Sequence, residues 1–199
     1  MYYNLIVTFS VSLRFNRCMM TDYSILEDSE LVQHARKDAQ AFDALYRRYL
    51  PRLYRYCLQR VNDVHQAEDI SSQVFFEVLN GLMNGKYQEG GCFAAWLFTI
   101  ARRRVVDHYR KPYAESLHES HPYDPEISNQ LEDLDEKKQL ADLVKDLDEE
   151  RQELLRLRFA AELSFEEIAL IDGRNTAAVK MAIYRTVDQL RNRWEKTDE

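Results

Sequence analysis

Apolar residues recur every three or four positions along most of this chain, the spacing that collects them on one face of an α-helix. From Phe42 to Tyr56 that face is Phe42, Leu45, Tyr49, Leu53 and Tyr56, so a helix capped by Asp38 runs to about Arg60. Pro51 lies inside it and predicts a kink or a break, because proline has no amide hydrogen to give the helix. A shorter helix with an acidic start, Asp28 to Lys37, comes before it. Asn62 or Asp63 caps a third helix, with Val64, Ala67, Val74, Phe75 and Val78 as its buried stripe. Residues 80–91 hold Gly81, Gly85, Gly90 and Gly91 and read as a loop. A fourth helix begins near Phe93, buries Trp96, Leu97 and Ile100, passes into an arginine run and ends at Pro112.

Residues 112–130 carry three prolines and several acids without an apolar period, which predicts a linker. Helical patterning resumes near Leu131 and continues to Leu147. Asp148 then caps a helix whose core contacts are Leu154, Leu155, Leu157 and Phe159. Ser164 with Glu167 three residues on has the spacing of a capping box, so a helix starts at Phe165. Gly173 ends it. Asn175 or Thr176 caps the last helix, with Val179, Ile183, Val187 and Leu190 facing the core.

The expectation is an all-α fold of two small helical domains joined by a flexible acidic linker: residues 22–112, a linker over 113–133, and residues 134–196. Scarce glycine and proline, 5 and 4 in 199 residues, agree with it. Residues 1–19 differ in being apolar and aromatic, with no acid. They read as an upstream extension, with Met19 or Met20 as the start, or as a docking segment. Their apolar run is too short and too broken to span a bilayer, so no membrane insertion is expected. Cys18, Cys57 and Cys92 are odd in number and lack a C-x-x-C pair, which points to a reduced, cytoplasmic protein.

The net charge of −7 hides a segregated pattern. Residues 101–111 hold five basic side chains against Asp107. Residues 174–196 hold six against Asp188 and Glu195. Between them, residues 115–153 hold fourteen acids and four bases. Screening confines each charge to roughly 10 Å, so two basic ends can meet a polyanion whatever the total.

Residues 165–190 have helix–turn–helix proportions. Ala169 is small where the two helices must approach, and Gly173 supplies the positive φ of the turn. The second helix would enter a major groove by its N-terminal end. That end offers Asn175, Thr176, Lys180, Tyr184 and Arg185. Asn and Arg suit base edges, and Thr and Lys suit phosphates. Arg102, Arg103, Arg104, Arg110 and Lys111 form the other basic cluster, and Tyr87 lies in the loop before it.

Three ordered blocks carry a resemblance. FDALYRRYLPRLYRY from Phe42, AEDISSQVFFEVL from Ala67 and WLFTIARRRVVDHYRK from Trp96 resemble region two of the extracytoplasmic-function (ECF) sigma factors of bacterial RNA polymerase. RQELLRLRFAAELSFEEIA and AVKMAIYRTVDQLR resemble region four. The resemblance implies a factor that directs core RNA polymerase to promoters and aids their melting. Glu68, Asp69 and Gln73 would dock on core polymerase. Tyr87, Arg102, Arg103, Arg104, Arg110 and Lys111 would hold the melted minus-ten strand. Asn175, Thr176, Lys180, Tyr184 and Arg185 would read the minus-thirty-five duplex. An anti-sigma factor is the further partner the resemblance implies. Arg103 stands where the family usually has Asn, Gln73 where an acid is usual, and Asp172 and Arg174 where apolar residues are typical.

The competing reading is a helix–turn–helix regulator that never engages polymerase; it leaves the first three blocks unexplained. An enzyme is not expected: the chain has no phosphate-binding glycine loop and no H-E-x-x-H, and its five histidines are scattered. No cofactor or metal is expected.

Overall fold

A computed structural model describes residues 22–88, 90–110 and 131–196, without the side chains of 131–135 and 137. The leader 1–19, most of the linker, Lys111 and Pro112 lie outside the described residues. Among those described there are eight α-helices and no strand: α1 Asp28–Ala35, α2 Ala39–Val61, α3 Val64–Met83, α4 Phe93–Arg110, α5 Leu131–Lys145, α6 Glu149–Leu155, α7 Phe165–Asp172 and α8 Thr176–Glu195.

The caps follow the expected chemistry. Asp38 and Asp63 accept backbone N–H bonds from Gln40 and Gln66 at the heads of α2 and α3. Asn62 takes the left-handed conformation that closes α2, with φ 52°. Asp148 and Asn175 cap α6 and α8 in the same way. The helix through Pro51 is continuous; the cyclic side chain removes one N–H without ending the helix.

Helices α1 to α4 form an N-terminal bundle around Leu45, Tyr49, Leu53, Tyr56, Val74, Phe75, Phe93, Leu97 and Phe98, all buried. Its aromatic rings meet edge to face, as Tyr56 and Phe98 do at 5.7 Å between centroids. The predicted loop at residues 80–91 is shorter than expected, because α3 runs on through Gly81 to Met83. A Cβ on Gly81 would lie 2.7 Å from the Trp96 ring. This glycine serves close packing rather than a turn.

Helices α6, α7 and α8 pack as a second group, with Leu154, Leu157, Leu163, Ile168, Val179 and Ile183 buried. Phe159, expected in the core, is 63% exposed. After α6 the backbone widens into a π-helical turn, Arg156–Ala160, in which the Ala161 N–H donates to the carbonyl of Arg156. The wider turn shifts the helical phase, so Leu157 stays inward while Phe159 turns out. One apolar core runs through both groups of helices without a break. A small satellite of Leu147, Leu155 and Leu190 ties α6 to α8.

Candidate nucleic-acid interface

Helix α7, its turn and α8 build the first basic site. The Ser164 hydroxyl accepts the Glu167 N–H, and the Glu167 carboxylate accepts the Ser164 N–H at 2.7 Å, which closes the capping box. Gly173 takes φ 72° and its N–H returns to the carbonyl of Ala169. Those two fixed points set the angle at which α8 leaves the turn.

Asn175, Lys180, Tyr184 and Arg185 are exposed on α8, and Thr176 is half-buried. The Asn175 side-chain oxygen is engaged by the Ala178 N–H. Its amide N–H₂ is left for a base edge. Lys180 Nζ lies 5.9 Å from the Phe165 ring and 5.7 Å from the Tyr184 ring, and the two rings meet at 5.8 Å. The Arg158 guanidinium covers the other part of Phe165 at 4.8 Å and donates to the carbonyl of Leu163. Cation–π contacts of this kind hold long side chains near one orientation. The sequence pattern pointed to neither Arg158 nor Phe165, because their role depends on stacking between helices.

The second basic site is the C-terminal half of α4. Arg103 and Arg104 both bind the Glu77 carboxylate on α3, Arg104 Nε at 2.8 Å. Burial alone would raise the Glu77 pKa; the two guanidinium groups outweigh it and hold the carboxyl below its ordinary value. Arg110 is exposed at the end of the helix. Arg102 turns away from that pair and lies 3.9 Å from Glu153 and 3.8 Å from Asp172, both of the C-terminal group.

Tyr87, expected to stack on an extruded base, is 5% exposed. Its ring packs at 5.0 Å on Trp96 and 6.2 Å on Phe93, and its hydroxyl donates to the carbonyl of Gly91. So little of the ring is exposed that in this conformation it offers no platform. Trp96 is itself partly buried against the core.

On α3, Glu68, Asp69 and Gln73 are exposed. Phe76 and Met83, 53% and 66% exposed, continue the row beyond Gln73. Helical spacing sets Asp69, Gln73, Phe76 and Met83 along one stripe. Phe76 escaped the sequence reading because its neighbour Phe75 satisfied the core period.

Polar bonds flank the shared apolar core where the two groups of helices meet. The Tyr56 hydroxyl donates to Glu153 at 2.6 Å, and Arg60 reaches the same carboxylate at 3.1 Å and also binds Glu149. Arg52 donates to the carbonyls of Ala161, at 2.7 Å, and Glu162, at 3.0 Å. Arg55 pairs with the Glu162 carboxylate at 2.6 Å. Among the described residues there is no cluster of three His, Cys, Asp or Glu side chains able to hold a metal, and no helix is long and apolar enough to cross a membrane.

Residues 45–113 match the family model described as sigma-70 region 2. The chain is 36% identical over 169 residues to the ECF RNA polymerase sigma factor BldN of Streptomyces coelicolor, covering 81% of this chain and 63% of that protein. It is 28% identical over 180 residues to the ECF RNA polymerase sigma factor SigK of a Mycobacterium species, covering 86% of this chain and 90% of that protein. The solved structure of the sigma factor RpoE of Bartonella quintana, in complex with the anti-sigma factor NepR, matches the fold with a TM-score of 0.58 at 21% identity, over 77% of this chain and 96% of that one.

Proposed function

The chain belongs to the ECF family of bacterial RNA polymerase sigma factors, and we propose that it acts as one, carrying core polymerase to a set of promoters. It does so by binding, with no catalytic step of its own, and it works in the cytoplasm. The observation that carries this reading is the pairing, in one chain, of the arginine-rich end of α4 with the capped helix–turn–helix of α7 and α8.

In this reading residues 22–112 and 134–196 are the two working units. The exposed face of α3, with Glu68, Asp69 and Gln73 at one end and Phe76 beyond them, suits a helix-on-helix contact with polymerase that combines polar specificity with apolar burial. Arg102, Arg103, Arg104 and Arg110 neutralise phosphates of the melted minus-ten strand, with Lys111 beside them in sequence. Each phosphate met releases a counterion, so binding weakens as salt rises. Lys180, Tyr184 and Arg185, with Thr176 and Asn175 at the head of α8, meet the minus-thirty-five duplex. An anti-sigma factor is the proposed regulatory partner. A helix–turn–helix regulator that bypasses polymerase would not need the α3 stripe, and family membership counts against it.

Transcription in a purified system tests the proposal. Core polymerase, this protein and fragmented genomic DNA should give discrete 5′ ends that share upstream elements and vanish without the protein. Folded protein that yields no specific starts, beside a working control sigma factor, would reject it.

A further inference from the structure

Helix α8 buries Val179, Ile183, Thr186 and Leu190. At about 100° per residue, the direction opposite to that row belongs to Ala177, Met181, Tyr184 and Asp188. All four are exposed, Met181 to 49% and Tyr184 to 48%. The exposed cations Lys180 and Arg185 flank this line on opposite sides. A helix laid in a major groove turns its outermost line to the base edges and its flanks to the phosphate walls. Asp188 closes the line, because its carboxylate is repelled by phosphates. The reading surface is therefore the stretch from Ala177 to Tyr184.

That stretch is apolar where it points straight out. It offers a methyl group, a thioether chain and an aromatic ring, and only the Tyr184 hydroxyl can hydrogen-bond. The Tyr184 ring is held against Phe165 at 5.8 Å, with Lys180 Nζ at 5.7 Å from its centre. Met181 stands beside it as an unbranched, polarizable side chain that moulds to an apolar partner. Among the base edges of the major groove, the one apolar group is the C5-methyl of thymine. Against any other base, Met181 would cover donors or acceptors without pairing them, and an unpaired buried polar group is costly. The same side chain thus attracts thymine and disfavours its competitors.

We propose that Met181, with Ala177 one turn before it, is a specificity-determining contact of α8 that reads the C5-methyl group of thymine in duplex DNA. This rests on the reading of α8 as the duplex-binding helix and names what that helix distinguishes.

The test begins with selection from duplexes whose randomised core spans about one helical turn. The full chain is used alone and with core polymerase, against a control of core polymerase by itself. The enriched sequences should hold thymine at a fixed position. Replacing that thymine by deoxyuridine deletes the methyl group and leaves every hydrogen-bonding atom in place. Wild-type affinity should then fall roughly three- to fivefold, the worth of one buried methyl group. Met181→Ala, with helicity and melting temperature checked against wild type, should bind the two duplexes alike. Met181→Gln should move the preference at that position to adenine, whose N6 and N7 pair with a side-chain amide. Equal wild-type affinity for the two duplexes overturns the proposal, as does a methyl preference that survives in Met181→Ala or Met181→Gln. Enrichment of no sequence in either form overturns it too, together with duplex reading by α8. Promoter-directed transcription, run in parallel, reports separately on the sigma reading: wild-type protein that starts no transcripts removes that reading, while the thymine–deoxyuridine comparison still decides the role of Met181.

Discussion

The hydroxyl of Tyr56 on α2 donates to the carboxylate of Glu153 on α6 at 2.6 Å, joining residues 97 positions apart in sequence. Both side chains are buried, Glu153 to 6% exposure. Burial and the adjacent carboxylate keep the tyrosine neutral, well above the ordinary phenol range. Tyr56→Phe removes one donor from a buried carboxylate while conserving shape. It should lower stability by about 1–3 kcal/mol, read as a reduced urea midpoint. An unchanged midpoint would show that Arg60 and Arg156 satisfy the carboxylate without it.

Gly81→Ala gains helix propensity but places a methyl group 2.7–2.8 Å from Trp96 ring atoms. Overpacking of this kind costs about 1–3 kcal/mol, more than the propensity gain of about 1 kcal/mol. The variant should therefore melt at a lower temperature with a shifted tryptophan emission. A higher melting temperature would mean the ring moves aside freely.

Glu77 gives a pH dependence of known sign. Its folded pKa lies below the ordinary glutamate value because Arg103 and Arg104 outweigh the effect of burial. The stabilisation is fully present above the unfolded pKa, about 4.3, and is lost as pH falls through the lower folded value. Urea midpoints measured down through the acid range should fall less steeply in Glu77→Gln than in the wild type. The same substitution frees both guanidinium groups, so single-stranded DNA should bind more tightly.

Phosphate contacts carry a salt signature. Arg104→Ala should reduce the slope of log affinity against log salt by about 0.7 for single-stranded DNA, and Lys180→Ala by about 0.9 for duplex. Lys180→Ala should also weaken binding evenly across sequences, since a phosphate contact reads no base. A sequence-dependent loss would move Lys180 to base readout.

Burial pushes the Cys57 thiol up to about 12, and Cys92 is raised less, with burial the main cause in both. Iodoacetamide at neutral pH should leave Cys57 unmodified in the folded protein, as mass spectrometry of its peptides would show. Modification should appear once urea unfolds the chain, because only the thiolate reacts.

Local order was legible in the sequence. The capping box at Ser164, the positive φ at Gly173, the caps at Asp38 and Asp148 and the core faces of α2 and α3 all follow from residues within a few positions of each other. The fold class followed from the same short-range patterns, because helical period and capping chemistry are written in adjacent residues; the family was carried by the resemblance of the blocks that begin at Phe42, Ala67 and Trp96. What lay beyond reach depends on contacts between distant segments. Gly81 reads as a turn until Trp96 is set against it, and Phe159 reads as core until the π turn rotates it outward. Tyr87 reads as an open ring until Trp96 and Phe93 enclose it. Arg102 belongs to one basic run in sequence, yet packing sends it to the acids of another group of helices while Arg103 and Arg104 share Glu77. A side chain's charge and shape are fixed by its identity, but its partner is set by which helices the core draws together, and that was decided only in the tertiary structure.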